Sequence, residues 1–214
     1  MRVTSYPKAQ ANGFAFTAEN EARAKTIVAR YPAGRQASAI VPLLDIAQRQ
    51  SGGWLPREAI EYVAQYLEMA PIRAHEVASF YSMFNLKPVG RHLIQVCRTT
   101  PCWLRGADEL TEACKKKLGI GLKESSSNGT FTLVEVECLG ACANAPMVQI
   151  DDHYYEDLTP QRLLEILDAM KSGEDIPVGP QTGRQGSAPE GGATTLTKLP
   201  KAETGEARPG EGGD

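Results

Sequence analysis

Leu93-Ile94-Gln95-Val96-Cys97-Arg98-Thr99-Thr100-Pro101-Cys102 joins a short apolar run to two cysteines separated by four residues. The run reads as a buried strand that delivers Cys97 at its exit. Downstream, Thr130-Phe131-Thr132-Leu133-Val134-Glu135-Val136 alternates with the period of two expected of a half-buried strand. It ends beside a second pair, Cys138-Leu139-Gly140-Ala141-Cys142. Between the pairs, Arg105 to Lys117 reads as a helix with Gly119 as its C-cap. Two strands that each run out into a cysteine pair, joined through a helix, point to an α/β unit with its chemistry on the exit loops.

The pattern continues outward. Met147-Val148-Gln149-Ile150 and a segment around Tyr154-Tyr155 form a hairpin across Asp151-Asp152, and Thr159-Pro160 opens a helix carrying Leu163, Leu164, Ile166, Leu167 and Met170. The order β-α-β-β-β-α over residues 89–176 predicts a thioredoxin-like α/β sandwich. Residues 1–88 read as all-helical. Thr17 caps a first helix that ends before Pro32, and a second spans Ala39 to Gln50. Pro56 occupies the first position of a third, and Pro71 opens a fourth running through Val77, Phe80, Tyr81 and Phe84 toward Pro88. From Pro177 to Asp214 the chain is rich in Gly, Pro, Thr and Glu, without aromatic residues, and is expected to be a disordered tail.

Composition narrows the function. A net charge of −3 over 214 residues gives no footprint for nucleic acid. No apolar run approaches the roughly 20 residues that span a bilayer, so no membrane insertion is expected. Residues Met1 to Lys8 lack the apolar core of a secretory signal. The cysteines are therefore expected in a reducing compartment, where pairs serve as metal ligands or redox groups more often than as disulfides.

Four thiolates without histidine suit a [2Fe–2S] centre or a structural zinc, and spacing by itself leaves both open. Disulfide exchange would favour C-x-x-C, which is absent. Gly140 lets the second loop fold tightly, and Ala141, Ala143 and Ala145 admit a bulky inorganic core. Cys114, inside a helix, reads as a core residue. Gly119-Ile120-Gly121 lacks the third glycine and the preceding strand of a dinucleotide fingerprint, and His75-Glu76 lacks the second histidine of a zinc-protease helix. His92 and His153 stand alone. Lys115-Lys116-Lys117 suits a solvated helix end. The Phe80, Tyr81 and Phe84 cluster is either helix core or a docking face.

Cys97 to Cys102, together with Cys138-Leu139-Gly140-Ala141-Cys142-Ala143-Asn144-Ala145-Pro146-Met147 and Val77-Ala78-Ser79-Phe80-Tyr81-Ser82-Met83-Phe84, resembles the small thioredoxin-like [2Fe–2S] subunit of NADH:quinone oxidoreductase, respiratory complex I. The resemblance covers roughly residues 17 to 175. It implies a helical bundle followed by a thioredoxin-like [2Fe–2S] ferredoxin domain, with Cys97, Cys102, Cys138 and Cys142 ligating one cluster per chain. It also implies a subunit of an oxidoreductase that only transfers electrons, without an NADH or quinone site of its own. Its partners would be the larger subunit that binds NADH and FMN and carries a [4Fe–4S] cluster, and other peripheral-arm subunits. The complex would lie on the cytoplasmic face of a bacterial inner membrane, or the matrix side in a mitochondrion. Related subunits serve NAD-linked hydrogenases and formate dehydrogenases. A zinc-stapled adaptor and a free-standing ferredoxin are the rivals from other classes.

Overall fold

Thr17 lies in extended backbone, and its hydroxyl accepts the Asn20 N–H at 3.3 Å, capping helix α1 (Ala18–Val28). Glu19 and Glu21 occupy the first turn, where the helix dipole favours negative charge. The computed structural model to which this helix belongs describes residues 13–189, 191–195 and 197. A 3-10 turn over Gln36–Ala39 leads into α2 (Ile40–Gln50). Pro56 is the residue before α3 (Arg57–Tyr66) rather than its first helical position, and Pro71 does begin α4 (Pro71–Phe80). Leu43, Leu44, Leu55, Ile60 and Val63 are fully buried and join these helices in one core.

Helix α4 stops at Phe80 instead of continuing through Phe84. Tyr81 turns extended at ψ 120°, leaving Phe80 79% exposed while Phe84 returns to the core at 6%. Tertiary hydrogen bonds take the backbone groups that a longer helix would have used. Gln48 donates to the Met83 carbonyl at 3.0 Å and accepts the Asn85 N–H at 2.7 Å. The Asn85 carbonyl accepts from the Leu55 N–H at 2.7 Å.

The second core is built on a sheet. Strand β1 (His92–Cys97) is followed by α5 (Thr100–Leu104) and α6 (Ala107–Leu118), then β2 (Glu124–Ser125) and β3 (Phe131–Val136). Strands β4 (Val148–Ile150) and β5 (His153–Glu156), helix α7 (Pro160–Ser172) and β6 (Gly179–Pro180) complete it. The helix expected over Arg105 to Lys117 is present as α6, and the short α5, which carries Cys102, precedes it. Gly106 adopts φ +102°, a left-handed backbone that ends α5 and starts α6. The strand order is β2-β3-β1-β4-β5-β6.

Strand β1 pairs parallel with β3 and antiparallel with β4. The β1–β3 register sets Cys97 opposite Val136, two residues before Cys138. Both cysteine loops therefore leave the same end of the sheet, side by side. Ile94, Val96, Leu133, Met147 and Ile150 from this part of the chain meet Leu110 of α6 and Leu163, Ile166 and Leu167 of α7, all at most 1% exposed. Each such side chain contributes about 1.5–3 kcal/mol by leaving water.

Within the segment expected to be a disordered tail, residues 179–188 have structure. Gly179 and Pro180 pair with Tyr155 and Glu156, and Arg184 forms a part-buried ion pair with Asp157. Polar contacts with the body hold residues 179–188, so scarcity of apolar side chains does not leave them without structure. The expectations for Met1 to Lys8 and for 198–214 lie outside the described residues.

Candidate metal centre

Each cysteine is placed by the element that ends or begins at it. Cys97 is the last residue of β1, and Cys102 is the third residue of α5; they are 2% and 1% exposed. Cys138 lies two residues past the end of β3, and Cys142 begins a 3-10 turn over Cys142–Asn144; both are exposed. Cys138 and Cys142 bring their sulfurs to 3.6 Å. The Cys102 thiol faces Cys97 as a donor, Cys102 feels the charge of Cys142, and Cys138 and Cys142 both feel the charge of Cys97. Cys138 opens onto a groove of about 690 Å³ between the two cores, shared with Arg49, Met83 and Asp152.

Within each pair the contact between the thiols favours charge on one sulfur and disfavours it on the other. Burial disfavours charge on Cys97, but the Thr99 hydroxyl and the backbone N–H groups of Leu139 and Thr99 outweigh it and lower its pKa. Burial, then donation to Cys97, pushes Cys102 up to about 12. The Gly140 N–H, 3.4 Å from the sulfur, lowers Cys138, aided by Cys142 and Thr99. Cys142 is raised because its thiol donates to Cys138. A metal held by these sulfurs would replace both shared protons, since only thiolates ligate.

The donor set, four thiols in two pairs without histidine, fits a two-iron centre. Two facing thiol pairs match a [2Fe–2S] centre, in which two thiolates serve each iron. Backbone N–H groups aimed at the sulfurs suit its charge.

Thr99 is the site residue that sequence reasoning missed. Its extended backbone makes it the N-cap of α5, yet it makes no capping hydrogen bond. The hydroxyl turns instead to Cys97 Sγ at 3.5 Å and also lowers the pKa of Cys138. A threonine immediately before a helix was the available signal, and it pointed to capping. The Tyr154 hydroxyl, which donates to the Leu139 carbonyl at 2.8 Å, had no sequence signal at all.

The remaining signals resolve without ligand roles. Cys114 is fully buried on α6, where burial pushes its thiol up to about 12. His92 pairs with Asp151 at 2.7 Å and lies against Phe131. Lys115 binds Glu112, and Lys117 binds Asp168 of α7.

Comparison with known proteins bears on this geometry. The family model for thioredoxin-like [2Fe–2S] ferredoxins matches residues 24–171. The chain is 58% identical over 159 residues to a subunit of the NADH-quinone oxidoreductase of Rickettsia bellii, covering 74% of this chain and 95% of that one. It is 48% identical over 191 residues to the mitochondrial NADH dehydrogenase [ubiquinone] flavoprotein 2 of Dictyostelium discoideum, covering 89% and 77%. An NAD+-reducing [NiFe]-hydrogenase in its H2-reduced state superposes with a TM-score of 0.54 at 19% identity, covering 63% of this chain and 22% of that one. That likeness concerns the fold alone.

Proposed function

We propose a function from one premise: this chain belongs to the thioredoxin-like [2Fe–2S] ferredoxin family. It is the electron-transferring subunit of an NADH:quinone oxidoreductase, as its relatives' names indicate for them. Cys97, Cys102, Cys138 and Cys142 hold its one [2Fe–2S] cluster. The observation that carries this reading is the parallel β1–β3 register, which brings both cysteine exits to one end of the sheet. When bound, the cluster supplies a one-electron store whose potential follows its hydrogen bonds and exposure.

The chain's own residues set those two factors. Cys97 and Cys102 hold one side of the site away from water, while Cys138 and Cys142 leave the other side open to a partner. Thr99 and the N–H groups of Leu139 and Gly140 donate toward sulfur. The partner is the larger subunit that binds NADH and FMN, and electrons pass between its flavin and this site. Exposed apolar side chains suit a permanent interface: Trp103 and Leu104 on the Cys102 helix are 52% and 70% exposed, and Phe80 is 79% exposed. Among the described residues no helix is long and apolar enough to cross a membrane. The chain joins the membrane complex peripherally, on the cytoplasmic or matrix side.

Purification of the full chain under anaerobic conditions tests this. The expected product is red-brown, with two irons and two sulfides per chain and a paramagnetic signal on reduction. From its native cell it co-purifies with an FMN-containing NADH-oxidising protein. A colourless chain with one zinc would overturn the electron-transfer role, and isolation without a flavoprotein would favour a mobile ferredoxin.

A further inference from the structure

Beyond α7 the chain turns back toward the loop that carries Cys142. Gly179 and Pro180 extend the sheet beside Tyr155 and Glu156, and the Gln181 N–H donates to the Glu156 carbonyl at 3.0 Å. Arg184 then reaches inward, its side chain 13% exposed against 10% for Asp157. Nε donates to Asp157 Oδ2 at 2.6 Å, and Nη2 donates to Oδ1 of the same carboxylate. Nη2 also donates to the Ala143 carbonyl at 2.9 Å, one residue past Cys142. Nη1 donates to the Ala188 carbonyl at 3.1 Å, closing the segment on itself. Asn144, 1% exposed, sends Nδ2 to the Gly186 carbonyl at 2.9 Å, and its own carbonyl accepts the Asp157 N–H at 2.8 Å.

Apart from these contacts, the second cysteine loop is held toward its ends, by Tyr154 at the Leu139 carbonyl and by Arg105 at the Ala145 carbonyl. Gly140, Ala141, Ala143 and Ala145 present almost no side chain to pack, and Cys138 and Cys142 are exposed. The first pair needs no such help, because a central strand and a buried helix face fix it. A planar guanidinium bonded to a carboxylate through two nitrogens sets direction as well as distance, so it registers Ala143 against Asp157.

We propose that residues 179–188 form a strap whose anchor, Arg184, is a positioning residue for the Cys142 side of the cluster site. This rests on Cys142 being a ligand. The strap fixes the backbone at Ala143, opposite the Tyr154 anchor at Leu139, so the loop arrives with both sulfurs already placed.

Two variants of the full chain separate positioning from general stability. Arg184→Lys keeps a positive charge opposite Asp157 but cannot reach both Asp157 and Ala143 with a fork. Arg184→Ala removes both contacts. In the metal-free protein, amide hydrogen exchange over 139–145 should quicken about tenfold in both variants, the effect of losing one charge-assisted hydrogen bond, with no change over Ile94 to Val96. In reconstituted protein, iron should pass to a chelator about tenfold faster, and the signal of the reduced cluster should broaden. Unchanged loop exchange, or an equal rise in the loop and in β1, would overturn the strap. If the alanine variant does not fold, the lysine variant decides. A wild-type chain that takes up no iron would instead remove the ligand reading, and loop exchange would still judge the strap.

Discussion

Arg49 of α2 holds Asp152 in the β4–β5 turn through both terminal nitrogens, Nη1 to Oδ2 at 2.7 Å and Nη2 to Oδ1 at 2.9 Å. The pair joins the helical core to the sheet core, and Asp45 braces the same guanidinium at Nε. Hydrogen bonding from Arg49 holds the Asp152 carboxyl below its ordinary 3.8, against a small opposing effect of burial. A depressed folded pKa means that the stabilisation is complete above 3.8 and is lost as pH falls through the folded value. Both side chains are half-exposed, so water screens the pair. Arg49→Ala should cost about 0.5–1 kcal/mol at pH 7 by denaturant unfolding. The gap to wild type should narrow in acid below pH 3.8. A gap that does not change with pH would exclude the ion pair as its source.

Thr99→Val replaces the hydroxyl between Cys97 and Cys138 with a methyl group of similar size. A donated hydrogen bond stabilises the more negative, reduced site. Its loss should lower the midpoint potential by roughly 50 mV, close to the 59 mV that a tenfold change represents for one electron. A redox titration followed by EPR measures this, and an unmoved potential would remove Thr99 from the site.

Cys138→Ser should abolish or severely weaken iron binding with little effect on the apo fold, because the side chain is exposed. Cys114→Ser should do the reverse. It places a hydroxyl in a fully buried apolar position, at a cost of about 1–3 kcal/mol, while iron per chain stays at two. Iron analysis beside a denaturation curve distinguishes the two, and loss of iron from the Cys114 variant would break the ligand assignment.

Gly90→Ala tests a close approach at the junction of the two cores. A Cβ there would lie 2.8 Å from the Phe131 carbonyl carbon and 2.9 Å from its nitrogen, and that backbone belongs to β3. Gly90 also donates its N–H to Thr132 at 2.6 Å, so it cannot move aside freely. The substitution should destabilise the protein by about 1–3 kcal/mol, read from the denaturation midpoint.

Much of the fold was legible because local patterns carried it. Thr17 and Thr159 cap their helices through side-chain oxygens, as their places before helical periodicity indicated. The apolar run that became β1 and the alternation that became β3 marked both strands that deliver cysteine. The errors fell where a distant partner competed for the backbone. Helix α4 ends early because Gln48, on another helix, takes the Met83 and Asn85 groups. The segment after Pro177 has the composition of a disordered chain, yet over residues 179–188 the part-buried Asp157 carboxylate gives Arg184 a partner that composition does not reveal.

Residue type and spacing by themselves determined that four thiols stand at strand exits and that a fifth belongs to a core, because those facts depend on periodicity within short windows. Tertiary structure decided how the thiols combine. Parallel pairing of β1 with β3 sets Cys97 opposite Val136, and only that register makes two local motifs into one site. Thr99 faces the Cys97 sulfur rather than its own helix, and the second loop, brought alongside by the sheet, places Cys138 near enough for the same hydroxyl to favour its charge.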